Sequence, residues 1–79
     1  MKRILFVNYA TETFAYLTAE TALDIMMTET EAYEVYNNIA YLSNRRTIEY
    51  YNDLQEFNRR MQGLKESGYH DITDIFKEG

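Results

Sequence analysis

The apolar positions of this chain follow two different periods. Near the start, Lys2-Arg3-Ile4-Leu5-Phe6-Val7-Asn8-Tyr9 sets four consecutive apolar residues between polar ends. The run is rich in β-branched and aromatic types and too short for a buried helix. It predicts a strand covered on both faces near its middle. Ala10-Thr11-Glu12-Thr13 is polar and of hairpin-loop length, and Phe14-Ala15-Tyr16-Leu17 predicts a second, antiparallel strand.

From residue 18 the period changes to that of a helix. Thr18 is placed to cap a short helix over 19–27, with Ala19, Ala22, Leu23, Met26 and Met27 sharing one face. Thr28-Glu29-Thr30-Glu31 reads as a capping box. In that motif the threonine hydroxyl accepts from the Glu31 amide, and the glutamate reaches back to the Thr28 amide. Glu29 and Glu31 in the first turn also suit the helix dipole. The helix so opened is expected to run to about Leu42. Its core stripe would hold Ala32, Val35, Tyr36, Ile39 and Leu42, with Glu34, Asn37, Asn38 and Tyr41 on the opposite side.

A third helix is expected from about Thr47 to Ser67. Tyr50, Leu54, Phe57, Met61 and Leu64 would form its buried stripe, and Gly68 its left-handed stop. Ile48 is the misfit, falling on the polar face with Asn52 and Arg59. Either the helix starts after it or it meets something outside the monomer core. Residues 69–76 read as a last strand or a short helix, with a slight preference for the strand. The expected class is α+β: an N-terminal antiparallel β-hairpin packed with two to three helices, and a short C-terminal strand as an option.

A chain of 79 residues builds one domain around one core, which places residues 1–79 in a single small acidic unit. Hydrophobic residues at 46% exclude a disordered chain. With no Cys, neither a disulfide nor a thiolate metal site can staple the fold. The longest apolar run near the start, Ile4 to Val7, is too short for a signal-peptide core or a membrane span. A cytoplasmic location is the expectation. The net charge of −5 is unevenly spread: residues 4–44 hold Glu12, Glu20, Asp24, Glu29, Glu31 and Glu34 and no Lys or Arg. Beyond residue 44, Arg45, Arg46, Arg59, Arg60 and Lys65 interleave with Glu49, Asp53, Glu56 and Glu66, and i,i+4-type pairs of Glu56 with Arg60 and Glu49 with Arg45 are expected.

Catalytic chemistry is hard to assemble from these residues. His70 is the sole imidazole, only Ser43 and Ser67 supply serine hydroxyls, and Ser67 and His70 are neighbours near a helix end, not groups brought together around a pocket. Glycines at 63, 68 and 79 make no phosphate loop. His70, Asp71 and Asp74 are the only group with ligand chemistry, and their spacing matches no known metal loop. Neither a metal nor another cofactor is expected, and no enzyme is. Glu29 and Glu31 could be imagined as an acid–base pair, but helix capping accounts for them better. The Met26-Met27 pair reads as core before it reads as an adaptable surface.

What remains is recognition. Eight tyrosines are the one compositional excess. Tyr36 and Tyr50 fall on expected core faces, Tyr33 on a flank and Tyr41 outside. Exposed Tyr beside carboxylates and Asn has the composition of an interface. The leading expectation is a non-enzymatic inhibitor or modulator that binds a protein partner with a basic, nucleic-acid-binding surface. Its docking residues would be Glu29, Glu31, Glu34, Tyr33, Asn37, Asn38 and Tyr41. In size, acidity and lack of catalytic groups the chain resembles small phage or mobile-element proteins that inhibit host factors, anti-CRISPR proteins among them. That resemblance is one of general character over the whole chain, and no motif carries it.

The alternative is a dimeric helix-turn-helix regulator, built on helices 19–27 and 28–42, with Asn37 and Asn38 reading base edges and the hairpin or Ile48 at the dimer interface. Electrostatics disfavour it, because Glu29, Glu31 and Glu34 would be pushed toward phosphates. Direct nucleic-acid or membrane binding is therefore not expected. A domain that merely self-associates is the third reading.

Overall fold

The computed structural model describes residues 3–39 and 45–78. Strand β1 (Arg3–Asn8) pairs antiparallel with β2 (Thr13–Leu17), so that Ile4 faces Leu17 and Asn8 faces Thr13. The loop between them is set by Asn8, whose Oδ1 accepts from the Ala10 amide at 2.9 Å and the Thr11 amide at 3.0 Å. That side chain supplies the turn signal which the loop residues lack.

Two helices follow, α1 (Ala19–Ile25) and α2 (Glu29–Asn38). Next come strand β3 (Arg46–Tyr51) and helix α3 (Leu54–Glu66), then a two-residue strand β4 (His70–Asp71) and a 3-10 helix (Thr73–Glu78). The sheet order is β3-β1-β2-β4, with β3 antiparallel to β1 and β4 parallel to β2. The class is α+β, as expected, including the hairpin and the C-terminal strand. Residues 69–76 supply both readings offered for them, a short strand and then a 3-10 helix. They pair with β2, not with the N-terminal strand.

β1 lies inside the sheet, and Ile4, Leu5, Phe6 and Val7 are completely buried. Alternation sends Ile4 and Phe6 to one face and Leu5 and Val7 to the other. On the first face they meet Ala15, Leu17, Ala22, Ala32, Tyr36 and Phe76 from β2, α1, α2 and the 3-10 helix. On the second face Leu5, Val7 and Phe14 pack against Phe57 and Leu64 of α3. The sheet thus separates the two helical layers.

The long third helix is not formed. Its first stretch is β3, in which Thr47, Ile48, Tyr50 and Tyr51 are β-formers whose alternation suits a strand beside β1. Ile48 was a misfit because it belongs to a sheet face, opposite Phe6. Tyr50 and Leu54 are about half exposed and are not core residues. Phe57 and Leu64 are buried as expected, Met61 packs against that cluster, and Gly68 adopts φ +90° after the helix. Helix α3 opens at Asp53, whose Oδ1 accepts from the Gln55 amide at 2.8 Å.

The α1 face also differs from expectation. Ala22 is buried and Met27 packs against the core, but Leu23 is 80% exposed and Met26 89% exposed. The helix is only seven residues long and meets the core through Ala22. Met26 then takes a left-handed conformation, φ 52° and ψ 46°, and leaves the helical path. The helix closes with the Met26 amide donating to Leu23 O at 3.3 Å and the Met27 amide to Ala22 O at 3.0 Å. That is a Schellman arrangement with Met where Gly is usual. The left-handed state costs a residue with a Cβ about 1–2 kcal/mol.

On α2, Ala32 and Tyr36 are buried and Val35 and Ile39 pack at the margin of the core, as the stripe predicted. Leu42, Tyr41 and the expected extension of the helix lie outside the described residues, apart from Ile39, which caps α2.

Candidate functional site

The acidic residues sort by layer. Thr18 caps α1 through a reciprocal box with Thr21, whose hydroxyl accepts from the Thr18 amide at 2.6 Å. Thr28 caps α2, accepting from the Glu31 amide at 3.2 Å. The Glu31 carboxylate takes a hydrogen bond from the Thr28 hydroxyl at 3.0 Å and does not reach the Thr28 amide. The expected capping box is thus half formed.

With both helix starts fixed, helical geometry places the remaining side chains. At about 100° per residue, Glu31, Glu34 and Asn38 fall within an arc of roughly 60° on the outer side of α2, and Asn37 lies about 60° beyond. All four are exposed, as is Glu20 on α1. Among the described residues none of these carboxylates is in an ion pair; the two pairs there are Arg60–Glu49 and Lys77–Asp74. Arg46 reaches this side of the sheet from β3 but lies against the Tyr36 ring, 5.9 Å from its centroid.

Glu29 and Tyr33 are placed differently. They lie on the sheet-facing side of α2, where the Tyr33 hydroxyl donates to Glu29 Oε1 at 2.9 Å and bonds the Tyr50 hydroxyl of β3. The Tyr33 ring meets Phe6 edge-on at 5.8 Å. Of the seven residues singled out from the sequence, Glu31, Glu34, Asn37 and Asn38 form an outward group. Glu29 and Tyr33 form an inner rim with Tyr50, and Tyr41 is outside the described residues. Glu12, in the hairpin loop, stands at the end of β2 opposite to the start of α1 and is not part of either group.

The exposed side of α1 adds what the sequence reading assigned to the core. Ala19, Ala22, Leu23, Met26, Met27, Thr28 and Glu29 line an open apolar groove of about 860 Å³ at the α1–α2 corner. Glu29 belongs to both the groove and the Tyr33–Tyr50 rim, and so links the groove to β3 through a polar cluster. Ile48, 37% exposed, and Tyr50 project on that same side of the sheet.

Across the sheet the chemistry is different. Glu49 of β3 accepts from Arg60 of α3 through Nε and Nη2, both at 3.1 Å, and from the Tyr51 hydroxyl at 2.5 Å. Arg60 also donates to the Tyr9 hydroxyl at 2.8 Å. This arrangement replaces the expected local pairs of Arg60 with Glu56 and of Glu49 with Arg45. Burial pushes the Glu49 carboxyl up, but the hydrogen bonds from Arg60 and Tyr51 and the guanidinium charge outweigh it, and the net shift is downward.

The tyrosines shift the other way. Burial, opposed only by Arg46, pushes Tyr36 up to about 12. Burial and the hydrogen bond to Glu49 push Tyr51 up to about 12. Burial, Tyr50 and Glu29 raise Tyr33 as well. Groups with raised folded values stabilise the fold fully below the unfolded tyrosine value of about 10 and lose that contribution as pH rises through the folded one. Unfolding is therefore expected as pH rises through the window from about 10 to about 12. Phenolate absorbance and circular dichroism should change together there. Tyrosines that all ionised near their ordinary value with the fold intact would refute this.

The His70 group is occupied by local structure. Asp71 Oδ1 accepts from the Thr73 amide at 2.9 Å and the Thr73 hydroxyl at 2.6 Å, and Asp74 pairs with Lys77. Among the described residues no group of three or more His, Cys, Asp or Glu is arranged to hold a metal ion. No helix among them is long and apolar enough to cross a membrane.

Fold and site together define a small α+β domain in which an acidic helical layer with an apolar groove lies on one side of the sheet and a mixed-charge helix on the other. No protein-family model, no curated protein and no solved structure matches the chain.

Proposed function

We propose that this protein is a non-enzymatic binding module that docks its α1–α2 layer onto a basic surface of a partner protein and inhibits or modulates it. The basic surface is of the kind that otherwise binds nucleic acid, and the mode of action is that of small mobile-element inhibitors of host factors. What supports the reading is the segregation of charge. Glu20, Glu31 and Glu34 are exposed and free of ion pairs among the described residues, and helix α3, where Arg59, Arg60 and Lys65 mix with Glu56 and Glu66, lies across the sheet from them. Such a one-signed face speeds encounter with a surface of opposite sign and slows encounter with nucleic acid itself.

The test is affinity capture from host lysate by the wild-type chain and by the Glu31→Lys, Glu34→Lys variant, with captured proteins identified by mass spectrometry. Reversing the first-turn charge at Glu31, which also removes the bond from the Thr28 hydroxyl, should cost about 1–2 kcal/mol of stability, and a thermal melt of the variant checks that it stays folded. Capture of a basic protein by the wild type alone, weakening as salt is added, is the expected result. Equal capture by both chains would show that another face binds. Saturable, salt-sensitive binding of DNA by the wild type would favour the helix-turn-helix alternative, whose outline α1, Met26-Met27-Thr28 and α2 retain.

A further inference from the structure

The groove at the α1–α2 corner gives the acidic face a second element. Leu23 and Met26 are the two most exposed large apolar residues among those described. Met26 is exposed because α1 ends there in a left-handed turn, and Leu23 because the short helix meets the core through Ala22, about 100° away on the helix. A glycine would suit that position better, because the left-handed backbone disfavours a residue with a Cβ. The unbranched side chains of Met26 and Met27 can re-form around differing apolar shapes. Of the anions, Glu29 lines the groove and Glu20 is exposed on α1, the helix that forms one wall of it; no Lys or Arg occurs anywhere from residue 4 to residue 44. An occupant with an apolar centre and cationic flanks matches that surface, whereas a neutral apolar molecule leaves the carboxylates unused.

We propose, resting on the docking role above, that this groove is the anchor site of the acidic face. It takes one bulky apolar side chain from a Lys- and Arg-rich segment of the partner protein. Leu23, Met26 and Met27 enclose the apolar side chain, and Glu29 and Glu20 meet the flanking cations. Anchor side chains seated in desolvated pockets dominate binding energy, and rim charges mainly set rate and salt dependence.

The protein contains no Trp, so a Trp-bearing peptide reports its own burial by fluorescence. The probe is a short synthetic peptide rich in Lys and Arg with a single central Trp. It is titrated into the wild-type chain, into Leu23→Ala, Met26→Gly, and into Leu23→Gln alone. Both residues are exposed, and Met26→Gly relieves the left-handed position, so the thermal midpoint of the double variant should be unchanged or higher. The wild type should give a saturable blue shift. The double variant should bind at least roughly tenfold more weakly, a loss of 1.4 kcal/mol, and Leu23→Gln should also bind more weakly.

Equal affinity for the wild type and the double variant, with loss of binding in Glu31→Lys, Glu34→Lys, would overturn the anchor and leave the acidic face standing. No saturable shift at all would overturn the anchor, and the capture experiment would then judge the face independently. Equal binding of an uncharged peptide with the same Trp, or of free indole, would make the groove a small-molecule site and overturn it too.

Discussion

Replacing Phe6 with alanine should lower the stability of the domain by about 3–5 kcal/mol, a large share of what it has. Phe6 is completely buried in β1, and its ring lies 4.8 Å from Tyr36, 5.6 Å from Phe76 and 5.8 Å from Tyr33. One side chain therefore ties α2 and the 3-10 helix to the sheet. Phe-to-Ala changes at such sites cost about 3–5 kcal/mol through lost transfer energy and the cavity left behind. A domain of this length has roughly 4–12 kcal/mol in total, by the usual stability per residue. Phe6→Leu keeps most of the volume and should cost less than about 1.5 kcal/mol. Urea titrations followed by circular dichroism separate these outcomes. An alanine variant unfolding within about 1 kcal/mol of the wild type would mean that the rings close over the gap.

Much of this fold was legible because β1 is unambiguous. Four adjacent apolar residues, all buried, need cover on both faces, and the hairpin and both helix caps on that side were readable from spacing. The same observation held an unused clue. A strand buried on both faces usually has a neighbour on each side, and the hairpin supplies only one. The missing neighbour is β3, which was read as helix because Tyr50, Leu54, Phe57, Met61 and Leu64 share helical spacing. The corrective signals were Thr47-Ile48 and Tyr50-Tyr51, which favour a strand, and Asp53 followed by Glu56, which marks a helix start. A spacing pattern extended across a cap misassigned the first five residues.

The candidate site was legible in its charge and not in its shape. The absence of cations from residues 4–44 is plain in the sequence. Which carboxylates face outward depends on the phase of α2, which turns Glu29 and Tyr33 inward while Glu31 and Glu34 point out. The groove depends on a left-handed Met26, and nothing in Leu23-Asp24-Ile25-Met26 announces it, because neither Gly nor Asn stands at the helix end. Helical periodicity assigned Leu23 and Met26 to the core; the break in the helix exposes Met26, and the narrow contact through Ala22 leaves Leu23 outside.

Arg60→Ala should give a loss of stability that depends on pH. At neutral pH the change removes the two-point contact with Glu49 and the bond to Tyr9. Hydrogen bonds to a charged partner contribute about 1.5–3 kcal/mol when buried. The Arg60 and Glu49 side chains are 33% and 23% exposed, and solvent screening lowers the expected cost to roughly 1–2 kcal/mol. The sign with pH follows from Glu49, whose folded value is depressed. Its contribution is present above the unfolded glutamate value of about 4.3 and is lost as pH falls through the folded value. Wild type and variant should therefore converge in acid, as read from urea midpoints at neutral pH and below about pH 4. A difference that stayed constant across that range would assign the effect to packing of the arginine stem alone. The pair also fastens edge strand β3 to α3, and β3 carries Tyr50 to the Glu29–Tyr33 rim from the other side. Arg60→Ala should consequently weaken peptide binding in the groove although no atom of Arg60 lines it, and Arg60→Lys, which keeps the charge but not the fork, should recover only part of the loss.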